Sequence, residues 1–227
     1  MSKKIYLSFH NSFFDSIIKR KRIEILKIIK SEIKKIYIKT CLDIGTTSDF
    51  RNKSSNFIIK NLKGYQKYFS ISDQKIIDIF FTKSLKKSIT APIKPSIMKK
   101  FKSDLVLSSA TIEHVGSRKN QLKMFKNISL LTKKIFIITT PNKSYPIDFH
   151  TKLPLLHFFP DYIYRKILKI LRFDFFSEEK NLNLLSFDDI KFIIEKLKLE
   201  KSFHIKIKFI KLLFLKSNFI IIGRKKN

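Results

Sequence analysis

The run KIFIIT at 134–139 limits the architecture more than any other stretch, because consecutive apolar residues in an extended run need cover on both faces. It stops at Pro141. Other strand-like runs are IYIKTCLDI at 36–44, KYFSI at 67–71, Leu105–Ser108, His204–Ile210 and Asn218–Gly223. Between them lie stretches with apolar residues at helical spacing. Residues 12–36 carry Phe14, Ile17, Ile18, Leu26, Ile29 and Ile33, as one helix or two with a break. Residues 119–131 place Leu122, Phe125, Ile128 and Leu131 on one face. A short helix is expected at 56–62 with Gly64 as its C-cap, and a helix or extended turn at 74–87. The proline-punctuated stretch after it has no clear periodicity. Tyr162–Leu171 reads as a basic amphipathic helix, and Ser186 with Asp189 forms a capping-box pattern before another. Strands separated by helices imply a parallel sheet covered on both faces, and two closing strands on a short connection add an antiparallel hairpin at one edge. The expectation is an α/β fold in one domain spanning 1–227, with 1–36 as an N-terminal helical extension and 141–180 as an irregular and helical lid.

The formal net charge of +30 first suggests nucleic acid or an anionic membrane. Only seven of the 48 basic residues are arginine, however, and Ile, Phe, Asn and Ser are abundant as well. AT-rich codons explain most of that excess, and arginine, the better reader of phosphate and guanine, is scarce. A nucleic-acid partner is therefore not expected. Cys41 is alone, which excludes a disulfide framework and a cysteine metal cluster. The N-terminal MSKKIYLSFHNSFFDS lacks an apolar core and a cleavage site, and no run reaches the ~20 apolar residues of a membrane span. A cytoplasmic protein is expected, with peripheral contact at the inner face of the membrane as an option.

Where glycine is so rare, its positions carry information: only Gly45, Gly64, Gly116 and Gly223 occur. In CLDIGTTSD, 41–49, a strand ends in an acid and a glycine, which lets backbone approach a ligand at the carboxyl edge of a sheet. One glycine is too few for a dinucleotide loop, and no phosphate-binding loop occurs elsewhere. LDIG, then DLVLSSATIEHVG at 104–116, then KIFIITTPN resemble, in order, the motifs of class I S-adenosylmethionine-dependent methyltransferases. SSNFI, TTPNKSYPIDFHTKLPLLHFFP, NLNLLS and SNFIIIGRKK extend the resemblance to a bacterial methyltransferase-like subgroup, from about Phe14 to Lys225.

The resemblance implies a three-layer Rossmann-like sandwich with a mostly parallel seven-stranded sheet. It implies S-adenosylmethionine as cofactor, with Asp43, Gly45 and Thr46 at its methionine end and Ser108 and Ser109 beneath the methyl group. An acid after the second strand would hold the ribose hydroxyls; Asp73 is the candidate, although Ser72 could occupy the matching position. The sequence departs from the family in its single-glycine loop and in SITAPIKPSIMKK, which offers Thr90 but no carboxylate on the adenine side. Some relatives bind a divalent metal through a further Glu three residues before the Glu-His pair. Ala110 stands there, so no metal is expected. Glu113 is read as organising a turn near a helix N-terminus.

Methyl transfer needs in-line placement, and a base only where the acceptor must lose a proton. His114 and His150 are the candidate bases, and Asp148 and Tyr145 accompany His150 on the acceptor side. The acceptor is expected to be a small molecule or a glycan- or lipid-linked intermediate. The alternative is a degenerate methyltransferase fold serving as a basic nucleic-acid- or membrane-binding module. Residues 149–176, aromatic and basic, would either lie on an anionic membrane or form a lid over the site.

Overall fold

The computed structural model describes residues 12–50, 52 and 54–226, with side chains from Ser16 onward. Most of the N-terminal motif, and the side chain of Phe14, lie outside the described residues. Helix α1 spans Ser12–Ile33, β1 Thr40–Ile44, α2 Phe57–Lys60, β2 Lys67–Ser72, β3 Lys83–Lys86, α3 Pro95–Phe101 and β4 Ser103–Ser109. Then follow α4 Arg118–Leu131, β5 Thr132–Pro141, α5 Asp161–Ile170, α6 Asp174–Ser177, α7 Phe187–Lys196, β6 Phe203–Leu212 and β7 Leu215–Lys225.

The seven strands form one sheet in the order β3-β2-β1-β4-β5-β7-β6. All neighbours are parallel except β7, which runs antiparallel to both β5 and β6. Strand alternation sorts the core into two layers. Cys41, Leu105, Leu107, Ile135, Ile137, Ile220 and Ile222 pack against Ile25, Leu26, Ile29 and Ile33 of α1 and Ile58 and Ile59 of α2. Leu42, Ile44, Val106, Phe136, Ile138, Phe219 and Ile221 face the opposite way, onto Phe101 of α3, Met124, Phe125 and Ile128 of α4, and Ile190, Ile193 and Ile194 of α7. The sandwich expected from the sequence is thus the observed one, and its central strands carry apolar residues on both faces, as in Leu105–Leu107 and Ile135–Ile138, because both faces are covered.

Three local expectations need correction. The first strand starts at Thr40, not Ile36: the Ile36 amide closes a turn onto the Ile33 carbonyl, and Asp104 Oδ2 takes the amides of Lys39 and Thr40. The stretch 74–87 contains no helix but an edge strand, β3, whose sequence KSLK has no apolar alternation and is held by pairing with β2. The unassigned stretch contains α3, which opens with Pro95 where a missing amide does no harm. The capping box is present as expected: Ser186 Oγ accepts from the Asp189 amide at 3.2 Å, and Asp189 Oδ2 accepts from the Ser186 amide at 2.8 Å.

Candidate active site

The chain runs outward from β1 through β2 to β3, then returns to start β4 on the other side of β1. Open α/β sheets place their clefts at the carboxyl ends of the strands flanking such a switch. Two clefts meet there, sharing Gly45, Thr47 and Ala110. The larger, about 560 Å³, is lined by Ser72, Asp73, Ser88, Thr90, Thr111 and His114, among others. The smaller, about 370 Å³, is lined by Arg22, Asp43, Ser54, Asn56, Ser109 and others. Each lies within the usual size of a small-molecule site, about 300–1,000 Å³.

Gly45 has φ +87°, and a Cβ there would meet the Thr111 side chain at 2.3 Å, so the position admits only glycine. Its amide donates to the Ile71 carbonyl at 3.0 Å and ties the turn to β2. The loop beyond has no further glycine and is braced by side chains instead. Asn56 Oδ1 accepts from the Thr47 amide at 2.9 Å, and Asn56 Nδ2 returns a bond to the Thr47 carbonyl at 2.9 Å. Gln74 Oε1 accepts from the Ser48 amide at 2.8 Å.

Asp43 sits buried at the end of β1 and accepts from Thr46 Oγ1 at 2.6 Å. Burial pushes its carboxyl up to about 6, with the Thr46 hydrogen bond opposing. Thr46 is spent on that contact and on the Ser70 hydroxyl, and Ser108 donates to the Ile44 carbonyl at 3.2 Å. Both are buried and line neither cleft. Ser109 does line one and shares a hydrogen bond with Thr139 Oγ1 at 3.1 Å. Ser72 donates to the Thr46 carbonyl at 2.7 Å and accepts from the Gln74 amide, so its hydroxyl is engaged, whereas Asp73 is exposed at the edge of the cleft.

Asp148 and His150, expected from the sequence on the acceptor side, meet in one polar knot and, like Tyr145, line neither cleft. Asp148 is buried and accepts four bonds: from the His150 amide, His150 Nδ1, Thr151 Oγ1 and the Tyr164 hydroxyl, at 2.8–3.1 Å. Burial alone would raise its carboxyl, but the hydrogen bond and charge of His150 hold it well below the usual carboxylate range. Burial alone would lower His150, and Asp148 and Glu113 outweigh it and raise the imidazole. Glu113 is fully buried in the first turn of the 3₁₀ helix Ile112–His114; Oε2 accepts from Thr140 Oγ1 at 3.0 Å, and Oε1 lies 3.8 Å from His150 Nε2 without a hydrogen bond.

His114 lies edge-on to His150, ring centroids 4.8 Å apart, on the wall of the larger cleft. Its Nδ1 contacts the Asn181 carbonyl at 2.6 Å, and since a carbonyl only accepts, the proton is on Nδ1 and the Nε2 lone pair is left available. Burial lowers its pKa, with Glu113 opposing and His150 adding to the shift, so the ring is neutral near pH 7. Glu113, His114 and His150 bring three donor atoms within 4.8 Å of one another, a group that could hold a metal ion. Tyr145 is buried and stacks on Phe149 at 5.1 Å, with Lys21 Nζ of α1 3.3 Å from the Phe149 ring centroid. Burial lowers the Lys21 ammonium to about 7.

Sequence reasoning missed Arg22, Asn56 and Gln74. The rarity of arginine was the available signal for Arg22; nothing local marks the two amides.

No family model and no curated sequence matches the chain. Solved structures do. An S-adenosylmethionine-dependent methyltransferase from Clostridium acetobutylicum superposes with TM-score 0.57 at 11% identity, over 95% of this chain and 97% of that one. Magnesium protoporphyrin IX methyltransferase from Synechocystis, solved with bound S-adenosylhomocysteine, gives 0.55 at 10% identity over 97% and 89%. The methyltransferase domain of a bacterial Hen1 protein, CtHen1-C, gives 0.55 at 12% over 89% and 97%. At these identities the likeness is one of fold.

Proposed function

We propose that the chain is an S-adenosylmethionine-dependent methyltransferase acting on a small molecule or a glycan- or lipid-linked acceptor. The observation that carries this reading is the pair of joined clefts at the β1/β4 switch point, with an acid at the end of β1, glycine at φ +87° behind it and a second acid after β2. When bound, S-adenosylmethionine supplies a methyl group on a positively charged sulfur. The residues fit such a ligand. Asp73 offers a carboxylate that can accept from two ribose hydroxyls. Asp43 offers negative charge to the cationic methionine end, and Arg22, which lines the same cleft and donates to the Ser54 carbonyl at 2.9 Å, has the charge to suit its carboxylate. The adenine side has Ser88 and Thr90 hydroxyls in place of an acid.

His114 Nε2 would take the proton from the acceptor, since its ring is neutral and its other nitrogen is fixed by Asn181. His150 lines neither cleft and is clamped between Asp148 and Glu113, so it would hold the His114 ring in place rather than act as the base expected from the sequence. The 141–180 segment supplies both His150 and Phe175, which lines the larger cleft, and is read as the acceptor-side lid. Titration calorimetry with S-adenosylhomocysteine tests the reading; no detectable binding at millimolar ligand would refute it.

A further inference from the structure

We propose that the chain docks on an anionic lipid bilayer through the β6–β7 hairpin tip and the outer face of α5. The tip reads Lys211-Leu212-Leu213-Phe214-Leu215-Lys216. Leu213 and Phe214 are 77% and 95% exposed, and both have positive φ, 48° and 66°. Two-residue hairpins of that geometry take Asn-Gly or Asp-Gly, since bulky side chains are strained there. Leucine and phenylalanine therefore serve neither the turn nor the core. Strain retained at an exposed apolar tip points to a use for those side chains outside the fold.

A second surface lies at the same end of the sheet. Helix α5 buries Tyr164 and Leu168 against the body and turns Tyr162, Lys166, Lys169 and Ile170 outward, with Tyr162 and Ile170 74% and 72% exposed. Leu155, Phe158 and Phe159 are exposed just before it, and Leu171 and Arg172 just after. Contacts link the two surfaces. Asn142, just past the end of β5, donates its amide to the Ser217 carbonyl at 3.0 Å and its Nδ2 to the Lys216 carbonyl at 2.7 Å. Lys143, the next residue, pairs with Asp161 at the start of α5 at 3.3 Å.

Exposed aromatic and aliphatic side chains rimmed by Lys166, Lys169, Arg172, Lys211 and Lys216 match an interface that is apolar below and anionic at its surface. A protein groove would match the apolar part alone, and nucleic acid the charge alone. No helix among the described residues is long and apolar enough to cross a membrane, so contact of this kind is with the surface. The same segment continues through α6 to Phe175, which lines the larger cleft.

The test is sedimentation of the full chain with vesicles of phosphatidylcholine alone and of phosphatidylcholine mixed with phosphatidylglycerol, at low and high salt. Binding is expected to the mixed vesicles and to weaken as salt rises. L213N/F214G should bind roughly tenfold or more weakly. Because Asn-Gly suits the turn, that variant should melt no lower than the parent, which separates lost docking from lost folding. K166E/K169E should weaken binding to the mixed vesicles only. The chain lacks tryptophan, so F214W gives a single tryptophan whose emission should shift to the blue on the mixed vesicles. Absence of binding at low salt, equal binding to neutral vesicles, or full binding by L213N/F214G would overturn the proposal. So would a dimer in solution that L213N/F214G dissolves, or retention on RNA without vesicle binding. None of these readouts depends on methyl transfer.

Discussion

Replacing Asp43 by asparagine should make the protein more stable and a worse binder of its ligand. The carboxyl is raised from its ordinary 3.8 to about 6 by burial. At 1.36 kcal/mol per pH unit, the ionised form is held in the fold against a penalty of about 3 kcal/mol. The sign follows from proton linkage: an acid with a raised folded pKa binds more protons folded than unfolded. Its penalty is absent below pH 3.8, grows between there and about 6, and is full above. The amide of the substituted side chain would keep the bond from Thr46 Oγ1 through its carbonyl oxygen and carry no charge. D43N should therefore gain up to about 3 kcal/mol at pH 8, which for a domain of this size raises Tm by several degrees, and gain nothing near pH 3.5. Urea denaturation of both proteins across that pH range measures it. Calorimetry with S-adenosylhomocysteine should show weaker binding by D43N at pH 8, and parent affinity falling as pH drops through about 6. A D43N protein less stable than the parent at pH 8, or one that binds the ligand equally well, would refute the assignment of Asp43 as a charge kept for the ligand.

His150→Leu should leave Asp148 and Glu113 buried without their cation, a loss of about 3–5 kcal/mol in chemical denaturation. His150 is raised above its ordinary 6.5, so its contribution is full below 6.5 and fades as pH rises through the raised value. The Asp148 contribution is present above 3.8 and fades as pH falls through its lowered value, so the parent should lose stability at both ends. Gly45→Ala should destabilise by at least about 2 kcal/mol, from the positive φ and the overlap with Thr111; T111G should recover only the overlap. Gly223→Ala drives a methyl to within 2.2 Å of the buried Phe136 ring, an overpacking loss of about 1–3 kcal/mol by thermal melting. Phe136→Leu should relieve it, making G223A/F136L less damaged than the sum of its parts.

The fold was legible where burial and periodicity coincide. Leu122, Phe125, Ile128 and Leu131 marked α4 because one face meets the core, and KIFIIT marked a central strand because both faces do. The edge strand β3 was not legible, since KSLK is mostly exposed and its strand state comes from its partner. In the site, Asp43 and Gly45 stood out because chain geometry at the end of a strand is local. The His150–Glu113 contact joins loops 37 residues apart and is visible only once β5 has carried the chain back past the 3₁₀ turn. Thr46 and Ser108 show the reverse. Their positions in the motif were apparent, but whether a hydroxyl faces the cleft or bonds to a neighbouring group depends on packing that no local pattern encodes.

The five buried acids among the described residues separate structure from site. Glu32 meets Lys208 at 2.6 Å and Arg224 at 3.0 Å, and Asp104 holds two backbone amides with Lys134 at 4.0 Å. Asp148 and Glu113 share His150. Asp43 has only hydroxyl help, and among the described residues no cation pairs with it. A buried carboxylate without a counter-charge is what a fold left to itself removes by substitution or protonation. In a chain with 48 basic residues a lysine or arginine partner would have been easy to supply. Among the described residues none is supplied at the switch point, beside the one glycine the loop retains, and Arg22 lines the same cleft without pairing with Asp43; a positive charge arriving with the proposed ligand would fit that arrangement.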